Sequence, residues 1–177
     1  MPATIDIRKG SPADEQTLLR LFDEAVAWMV ARGQSAQWGD RPFSERPETR
    51  RRVHEMAQHE GLWIAERDGA PVGALIVGAR PAHVHPIGAR ELYIELLISS
   101  RVHAGNDIGG QLVRRADALA AAAEVPVLRV DCWAGAPTLV GWYERQGFVR
   151  AGMFDYHGWM GQVFEKAIPA GRGPGGS

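Results

Sequence analysis

The sequence predicts a single α/β domain of about seven strands and four helices. Hydrophobic residues make up 45% and charged residues 23% of the 177 residues, which is the balance of an ordinary globular domain. Apolar residues also alternate between strand and helix periods, in the order β, α, α, β, β, β, α, β, α, β, β. We therefore expect one domain over residues 1–168, followed by a flexible glycine-rich tail over residues 169–177.

Charge and cysteine content exclude several classes of protein. The formal net charge is −1, so no basic excess favours a nucleic-acid partner. Cys132 is the only cysteine, which rules out an internal disulfide and makes the reducing cytoplasm the expected location. The apolar runs are far shorter than the ~20 residues that cross a bilayer, and the polar start of the chain is unlike a signal peptide. We expect no membrane association.

The first half of the sequence contains a strand and two helices. Residues 4–8 alternate as a strand does, and Ser11, Pro12 and Asp14 form a helix start with a capping-box pattern. Helical spacing then continues to Gly33. A loop over residues 34–47 contains aromatic side chains, which is typical of a packed or ligand-facing loop. A polar helix follows over about residues 48–59.

The second half is richer in strands. Residues 62–66 and 72–77 form a predicted hairpin with Asp68-Gly69 at its turn. Residues 91–98 give the clearest strand pattern of the chain. The remaining predicted elements are a helix from about residue 108 to 123, a strand at 125–132, a helix at 137–146, and strands at 148–153 and 162–168.

A glycine-containing turn over residues 105–110 joins a strand to a helix. Free backbone N–H groups at such a helix start, together with the positive end of the helix dipole, suit a phosphate or pyrophosphate. The turn lacks the Lys-Ser or Lys-Thr ending of a nucleotide-hydrolysing loop, and its glycines are not spaced as in a dinucleotide-binding turn. A purely structural turn is the alternative interpretation.

Two segments resemble the GNAT superfamily of N-acetyltransferases. One runs from ELYIELLI (91–98) into AGNDIGGQL (104–112), and the other is LVGWYERQGF (139–148). The second carries Tyr143 four residues before a Gly-Phe pair, as is typical of the family. The resemblance implies a mixed, mainly antiparallel sheet and direct transfer of an acetyl group from acetyl-CoA to the amine of a small molecule or amino acid derivative. The sequence around Trp28, Trp38 and residues 43–47 resembles that of a bacterial subgroup of the family.

The resemblance also implies where coenzyme A is bound. Leu97 and Ile98 would polarise the thioester carbonyl through their backbone amides. The pyrophosphate would lie on the turn residues Gly105, Asn106, Asp107, Ile108, Gly109 and Gly110. The family pattern is Gln or Arg, two residues, Gly, one residue, then Gly or Ala, and here its positions are Ala104, Asp107 and Gly109, of which only Gly109 matches.

Asp107 leaves two orientations open. Its carboxylate either faces the phosphates and repels them, or caps the helix. The departure keeps two alternatives to acetyl-CoA chemistry: another acyl donor, such as a carrier protein or an aminoacyl-tRNA, and a non-catalytic ligand-binding module.

Glu95 and Tyr143 are the catalytic candidates. Glu95 interrupts an apolar strand, where a charge is costly unless it faces a cavity or a partner, so it is a candidate base; a solvent-facing or arginine-paired glutamate is the alternative. The resemblance makes Tyr143 the acid that protonates the leaving thiolate, against the alternative of a core tyrosine. Tyr93, on the same strand face as Glu95, would shape the acceptor pocket together with Trp28 and Trp38.

No metal site is expected. His83 and His85 lie two residues apart in a loop without the third or fourth ligand that a metal needs. Cys132 is expected to be buried rather than nucleophilic. The expected partner is a small-molecule amine, and a homodimer is compatible with the sequence.

Overall fold

The computed structural model of the chain describes residues 4–171, so residues 172–177 of the predicted tail lie outside the described residues. The helices are α1 (Glu15–Ala31), α2 (Pro47–Ala57), α3 (Ile108–Ala122) and α4 (Pro137–Arg145). The strands are β1 (Ile5–Lys9), β2 (Leu62–Arg67), β3 (Ala70–Gly78), β4 (Glu91–Ser99), β5 (Val127–Trp133), β6 (Val149–Tyr156) and β7 (Trp159–Ala167). The predicted order of elements is confirmed.

The strands form one seven-stranded sheet in the order β1-β2-β3-β4-β5-β7-β6. β4 and β5 pair in parallel. The pairs β1–β2, β2–β3, β5–β7 and β6–β7 are antiparallel. The expected mixed, mainly antiparallel sheet is therefore confirmed. The described residues divide into two compact units: unit 1 comprises residues 4–76 with Leu96–Leu112, and unit 2 comprises Val77–Glu95 with residues 113–171.

Unit 1 is organised around the apolar faces of α1 and α2. Their buried side chains pack with those of β2, β3 and the end of β4 into one cluster. Its members include Leu18, Leu21, Phe22, Val26, Val53, Leu62, Ile64, Ile76 and Ile98. Apolar residues three or four apart on each helix provide this face, since such residues lie on the same side of a helix.

A single 3-10 turn over Pro12–Asp14, directly before α1, is held by the predicted capping pattern. The Ser11 hydroxyl accepts a hydrogen bond from the Ala13 amide at 3.3 Å, and the Asp14 carboxylate accepts one from the Ser11 amide at 2.9 Å. Arg8 donates to both oxygens of Asp14 at 2.8 and 3.0 Å. The Arg8 hydrogen bonds lower the pKa of Asp14, so this carboxylate stays ionised where it stabilises the helix start.

Unit 2 is held together by a buried arginine. Arg129 on β5 is 2% exposed. Its guanidinium lies 2.9 Å from Glu91 on β4 and 3.3 Å from Glu165 on β7. Arg80 also pairs with Glu91 at 3.1 Å. A buried charge needs such partners because burial removes its water, and these pairs tie three strands of unit 2 together.

The last hairpin is longer than predicted. β6 continues to Tyr156 and β7 begins at Trp159, whereas the sequence pattern placed the strand ends at residues 153 and 162. Most side chains of β6 are exposed, so the strand lacks the alternation on which the prediction depended. Its turn contains His157 at φ 52°, a left-handed conformation with no apolar signature.

Candidate functional site

The end of β4 leads into an exposed turn at the start of α3. Gly105 and Asn106 are exposed, and the Asn106 side chain closes the turn by donating to the His103 carbonyl at 2.8 Å. Ile108, the first residue of α3, is 3% exposed and anchors the helix start. The first amides of α3 have no carbonyl acceptor within the helix. The predicted strand–turn–helix for an anion is therefore present in unit 1.

Gly73 on β3 allows α3 to start against the sheet. A Cβ atom at this position would lie 2.8 Å from Ile108 Cγ2, 3.1 Å from the Ile98 carbonyl oxygen and 3.2 Å from Leu112 Cδ1. Distances this short leave no room for any side chain. Leu97 and Ile98, predicted to polarise a carbonyl, lie at the end of β4, half-buried and buried respectively. Gly73 thus packs closely against both the helix start and the β4 end.

Asp107 immediately precedes α3 and caps it. Its carbonyl accepts the first helical hydrogen bond, from Gln111 at 3.0 Å. Its φ is 54°, a left-handed conformation that aspartate tolerates better than most residues. The carboxylate lies so close to Gly110 that a Cβ atom there would overlap it. The negative charge therefore lies over the first turn of the helix, as a capping carboxylate does.

Trp28 lies between two arginines. The guanidinium carbons of Arg32 and Arg101 are each 4.0 Å from the ring centroid. Both distances are within the range of a cation–π contact. Burial, and then the charge of Arg32, lower the pKa of Arg101. Neither guanidinium has a carboxylate partner within residues 4–171, so this arginine clamp presents positive charge just ahead of the turn.

Ser100 connects the clamp to helix α1. Its hydroxyl donates to Glu24 at 2.8 Å and lies 3.3 Å from His103 Nδ1.

Trp38, by contrast, packs into the core of unit 1. Its ring is 5.2 Å from that of Phe22 and 6.1 Å from that of Phe43. Of the two tryptophans predicted to contact substrate, only Trp28 contacts Arg101, which precedes the turn over residues 105–110.

Tyr93 belongs to unit 2 and holds a carboxylate that the sequence analysis did not single out. Its ring is 1% exposed, and its hydroxyl donates to Asp131 on β5. Burial raises the pKa of Asp131, opposed by the Tyr93 hydrogen bond and the charge of His83. The sequence did contain a signal for Asp131: it is a carboxylate between the apolar residues Val130 and Cys132, just as Glu95 interrupts an apolar strand.

Glu95 is exposed on β4. Alternation places it on the same strand face as Tyr93.

Tyr143 on α4 is 4% exposed, and its ring stacks on Phe164 at 5.3 Å and meets Phe148 edge-on at 5.8 Å. Burial, with the neighbouring Cys132 and Asp131, raises the pKa of Tyr143. Among the described residues, none provides a hydrogen-bond partner for its hydroxyl.

Cys132 is buried, and burial raises the pKa of its thiol to about 12. It is therefore no nucleophile at neutral pH.

His83 is exposed and contacts the rings of Phe154 and Tyr156, whereas His85 contributes its carbonyl to Arg129 at 3.0 Å. Over residues 4–171 no group of three or more potential ligands could hold a metal ion. The same part of the chain has no helix long and apolar enough to cross a membrane.

Solved structures with the same fold include coenzyme A complexes. A GNAT-family acetyltransferase from Listeria monocytogenes is 22% identical with a TM-score of 0.72, over 95% of this chain and 99% of that one. The PaiA N-acetyltransferase of Thermoplasma acidophilum, solved with coenzyme A, is 18% identical with a TM-score of 0.67, over 93% and 99%. The yncA protein of Salmonella typhimurium, solved with acetyl-CoA, is 16% identical with a TM-score of 0.63, over 98% and 99%.

Sequence comparison identifies the family directly. No curated protein matches the chain. Residues 20–148 match the acetyltransferase (GNAT) family. This match spans most of the chain and includes both segments whose motifs resemble that family. The chain therefore belongs to the GNAT family of acetyltransferases.

Proposed function

We propose that this enzyme transfers an acetyl group from acetyl-CoA directly to the amine of a small molecule or amino acid derivative. The observation that carries the proposal is the exposed turn after β4, which leads into the first amides of α3 and follows the Arg101 guanidinium. Backbone amides, a helix dipole and an arginine together suit a diphosphate. The fold is also that of proteins solved with acetyl-CoA and with coenzyme A.

The chemistry asks three things of the protein. An amine with a pKa near 10.4 must lose a proton, which costs about 4.6 kcal/mol at pH 7; Glu95 is our proposed base, directly or through water. The amides of Leu97 and Ile98 would polarise the thioester carbonyl. Tyr143 would donate a proton or hydrogen bond to the departing thiolate. Burial raises the pKa of Tyr143, which makes full proton transfer to a thiolate less favourable and favours a hydrogen bond to it instead.

The donor assignment is tested by calorimetric titration with acetyl-CoA, coenzyme A and pantetheine. We expect both coenzymes to bind, and pantetheine, which lacks the phosphates, to bind at least about tenfold more weakly. A coenzyme at ~100 times its Kd should add about 2.7 kcal/mol to the free energy of unfolding. If millimolar acetyl-CoA gives neither heat nor a change in Tm, the conventional donor is wrong.

A second candidate function rests on Asp107. Its carboxylate lies over the first turn of α3, where a phosphate would compete with it for the same amides. This favours a donor other than free acetyl-CoA, such as an acylated carrier protein or an aminoacyl-tRNA, or a binding module without catalysis. Release of free thiol from acetyl-CoA in the presence of an amine panel would exclude this candidate, because neither alternative consumes acetyl-CoA.

A further inference from the structure

Asp131 is a carboxylate without a cation. It is half-buried, and one of its oxygens, Oδ2, accepts the hydrogen bond from Tyr93. Within residues 4–171 it forms no ion pair. Its other oxygen is not among the buried atoms that lack a hydrogen-bond partner, so solvent or a ligand reaches it. A carboxylate stripped of part of its water favours a cation at that open oxygen.

The nearest buried arginine does not neutralise this charge. Arg129, two residues earlier on β5, is engaged by Glu91 at 2.9 Å and Glu165 at 3.3 Å. Glu91 also pairs with Arg80 at 3.1 Å, so two arginines and two carboxylates balance one another and leave the charge of Asp131 without a counterion. The open oxygen of Asp131 therefore belongs to an electrostatic environment that attracts a cation.

Aromatic rings adjoin the carboxylate. Tyr93 packs in one cluster with Phe154, and Trp159 packs against that cluster. The exposed ring of His83 lies 4.8 Å from Phe154 and 4.4 Å from Tyr156. Tyr156 is 49% exposed, which leaves ring surface uncovered. We define the aromatic wall as His83, Phe154, Tyr156 and Trp159. Such faces attract both flat apolar groups and ammonium ions.

We propose that Asp131, oriented by Tyr93, binds the ammonium group of the acetyl acceptor, and that the acceptor is a primary amine carrying a flat apolar ring that lies on the aromatic wall. The identification of the bound amine as the acetyl acceptor rests on the proposed function. Binding of the amine itself does not require a coenzyme. A carboxylate at the inner end and exposed rings at the outer end select against anionic and purely aliphatic ligands.

The binding should depend on pH with a defined sign. An ammonium ion needs the ionised carboxylate, and burial raises the pKa of Asp131, so affinity should fall as the pH drops through a value above the usual ~3.9. The groups facing Asp131 are Tyr93 from β4, Tyr143 from α4, His83 from the loop and Cys132 on its own strand. The charge of His83 opposes the rise in the Asp131 pKa, so the variant His83→Phe separates its contribution.

The test is calorimetric titration of the full chain with phenethylamine, a primary amine with one ring. Phenylacetate tests the need for the positive charge, and ethylamine tests the need for the ring. We expect both to bind at least about tenfold more weakly than phenethylamine. Asp131→Asn should weaken phenethylamine by tenfold or more, and Tyr93→Phe by about threefold. Asp155→Asn, the same charge change at an exposed aspartate of β6, should have no effect.

Stability provides a second readout that a folding defect cannot imitate. Because the folded state raises the pKa of Asp131, ionisation favours the unfolded state, and this penalty is complete above the folded pKa. Asp131→Asn should therefore have a higher Tm than the unchanged chain at pH 7, and lose that advantage below the usual carboxyl pKa. A lower Tm of Asp131→Asn than of the unchanged chain at pH 7 would contradict the inference that the Asp131 charge is uncompensated.

Equal binding of phenylacetate and phenethylamine, or an unchanged Kd in Asp131→Asn, would overturn the proposal. So would a chain that binds coenzyme A but not phenethylamine, and in that case the proposed acetyl transfer would stand. A chain that binds phenethylamine through Asp131 but binds no coenzyme would leave the amine site intact and remove the proposed function. The two failures are thus distinguishable on the same sample.

Discussion

Asp107 and Asp68 are two exposed aspartates with nearly the same backbone conformation. Their φ angles are 54° and 51°. Asp68 occupies the turn between β2 and β3, whereas Asp107 begins α3. Only Asp107 carries its charge over the first turn of a helix. The pair therefore separates the effect of an unusual backbone conformation from the effect of a charge at the proposed phosphate-binding turn.

We predict that Asp107→Asn and Asp107→Gly both bind coenzyme A roughly tenfold more tightly. At ~6 Å and an effective dielectric of ~40, each unit charge pair costs about 1.4 kcal/mol. Calorimetric Kd values at low and high salt measure the effect, and the gain should shrink as salt screens the charge. Asp68→Asn is the matched control and should leave the Kd unchanged. Equal affinities in all four proteins would mean that the capping carboxylate faces away from the phosphates.

Tyr143 has the environment of both a core residue and an acid. Stacking on Phe164 explains its burial, but a structural tyrosine normally satisfies its hydroxyl. Tyr143→Phe keeps the ring and removes only the hydroxyl, so we predict an unchanged fold and a fall in kcat of about 10². Steady-state kinetics of thiol release measure it.

Trp142→Phe is the control for Tyr143, because it alters the ring 5.0 Å from Tyr143 without touching the hydroxyl. A Tyr143→Phe enzyme that is as active as the unchanged chain would assign this residue to the core alone.

Single residues also mark the limit of prediction from the sequence. Glu95 and Tyr143 stand out because each interrupts or follows a recognisable motif. Asp131 interrupts an apolar strand pattern too, but no motif adjoins it. Only the contact with Tyr93, 38 positions earlier, distinguishes it. Contacts at that separation depend on strand pairing, which local periodicity does not contain.

At the scale of elements, the start of α3 depends on a residue of another element. We predict that Gly73→Ala on β3 destabilises the fold by about 1–3 kcal/mol, the usual cost of overpacking. The new methyl group would meet the Ile98 carbonyl at 3.1 Å, and a strand carbonyl cannot rotate away. The start of α3 should therefore shift, and coenzyme A affinity should fall with it.

Chemical denaturation and calorimetry together test the Gly73 prediction. Gly88→Ala is the control, since nothing lies within 4 Å of a Cβ atom there. A stable Gly73→Ala protein with normal affinity would show that α3 adjusts without loss.

Element boundaries were predictable where a residue type enforces them. Ser11 and Asp14 form the capping box that the sequence indicated. The hairpin turn at Asp68-Gly69 occurs where it was expected. The β6–β7 hairpin was predicted too short, because exposed strands carry no burial pattern. Its length follows from pairing with the neighbouring strand, as in the pair Tyr156–Trp159.

For the whole molecule, the order of elements and the family were predictable, whereas the composition of the sites was not. Two short motifs were enough to predict the family, and both lie within residues 20–148, the segment that matches the family. The predicted substrate residues belong to different units: Trp28 and Trp38 to unit 1, Tyr93 to unit 2. Sequence spacing carries no information on such grouping, because each unit combines segments far apart in the chain.

The arginine clamp makes Trp28 an optical probe of the anion turn. Indole emission shifts with the charges near the ring, and here two guanidinium carbons each lie 4.0 Å from the ring centroid. An anion that draws Arg101 from the ring removes one of these two charges from the indole. The chain has six tryptophans, so the difference in fluorescence between the unchanged protein and Trp28→Phe isolates this signal. Ligand occupancy at the turn thereby becomes readable without a label.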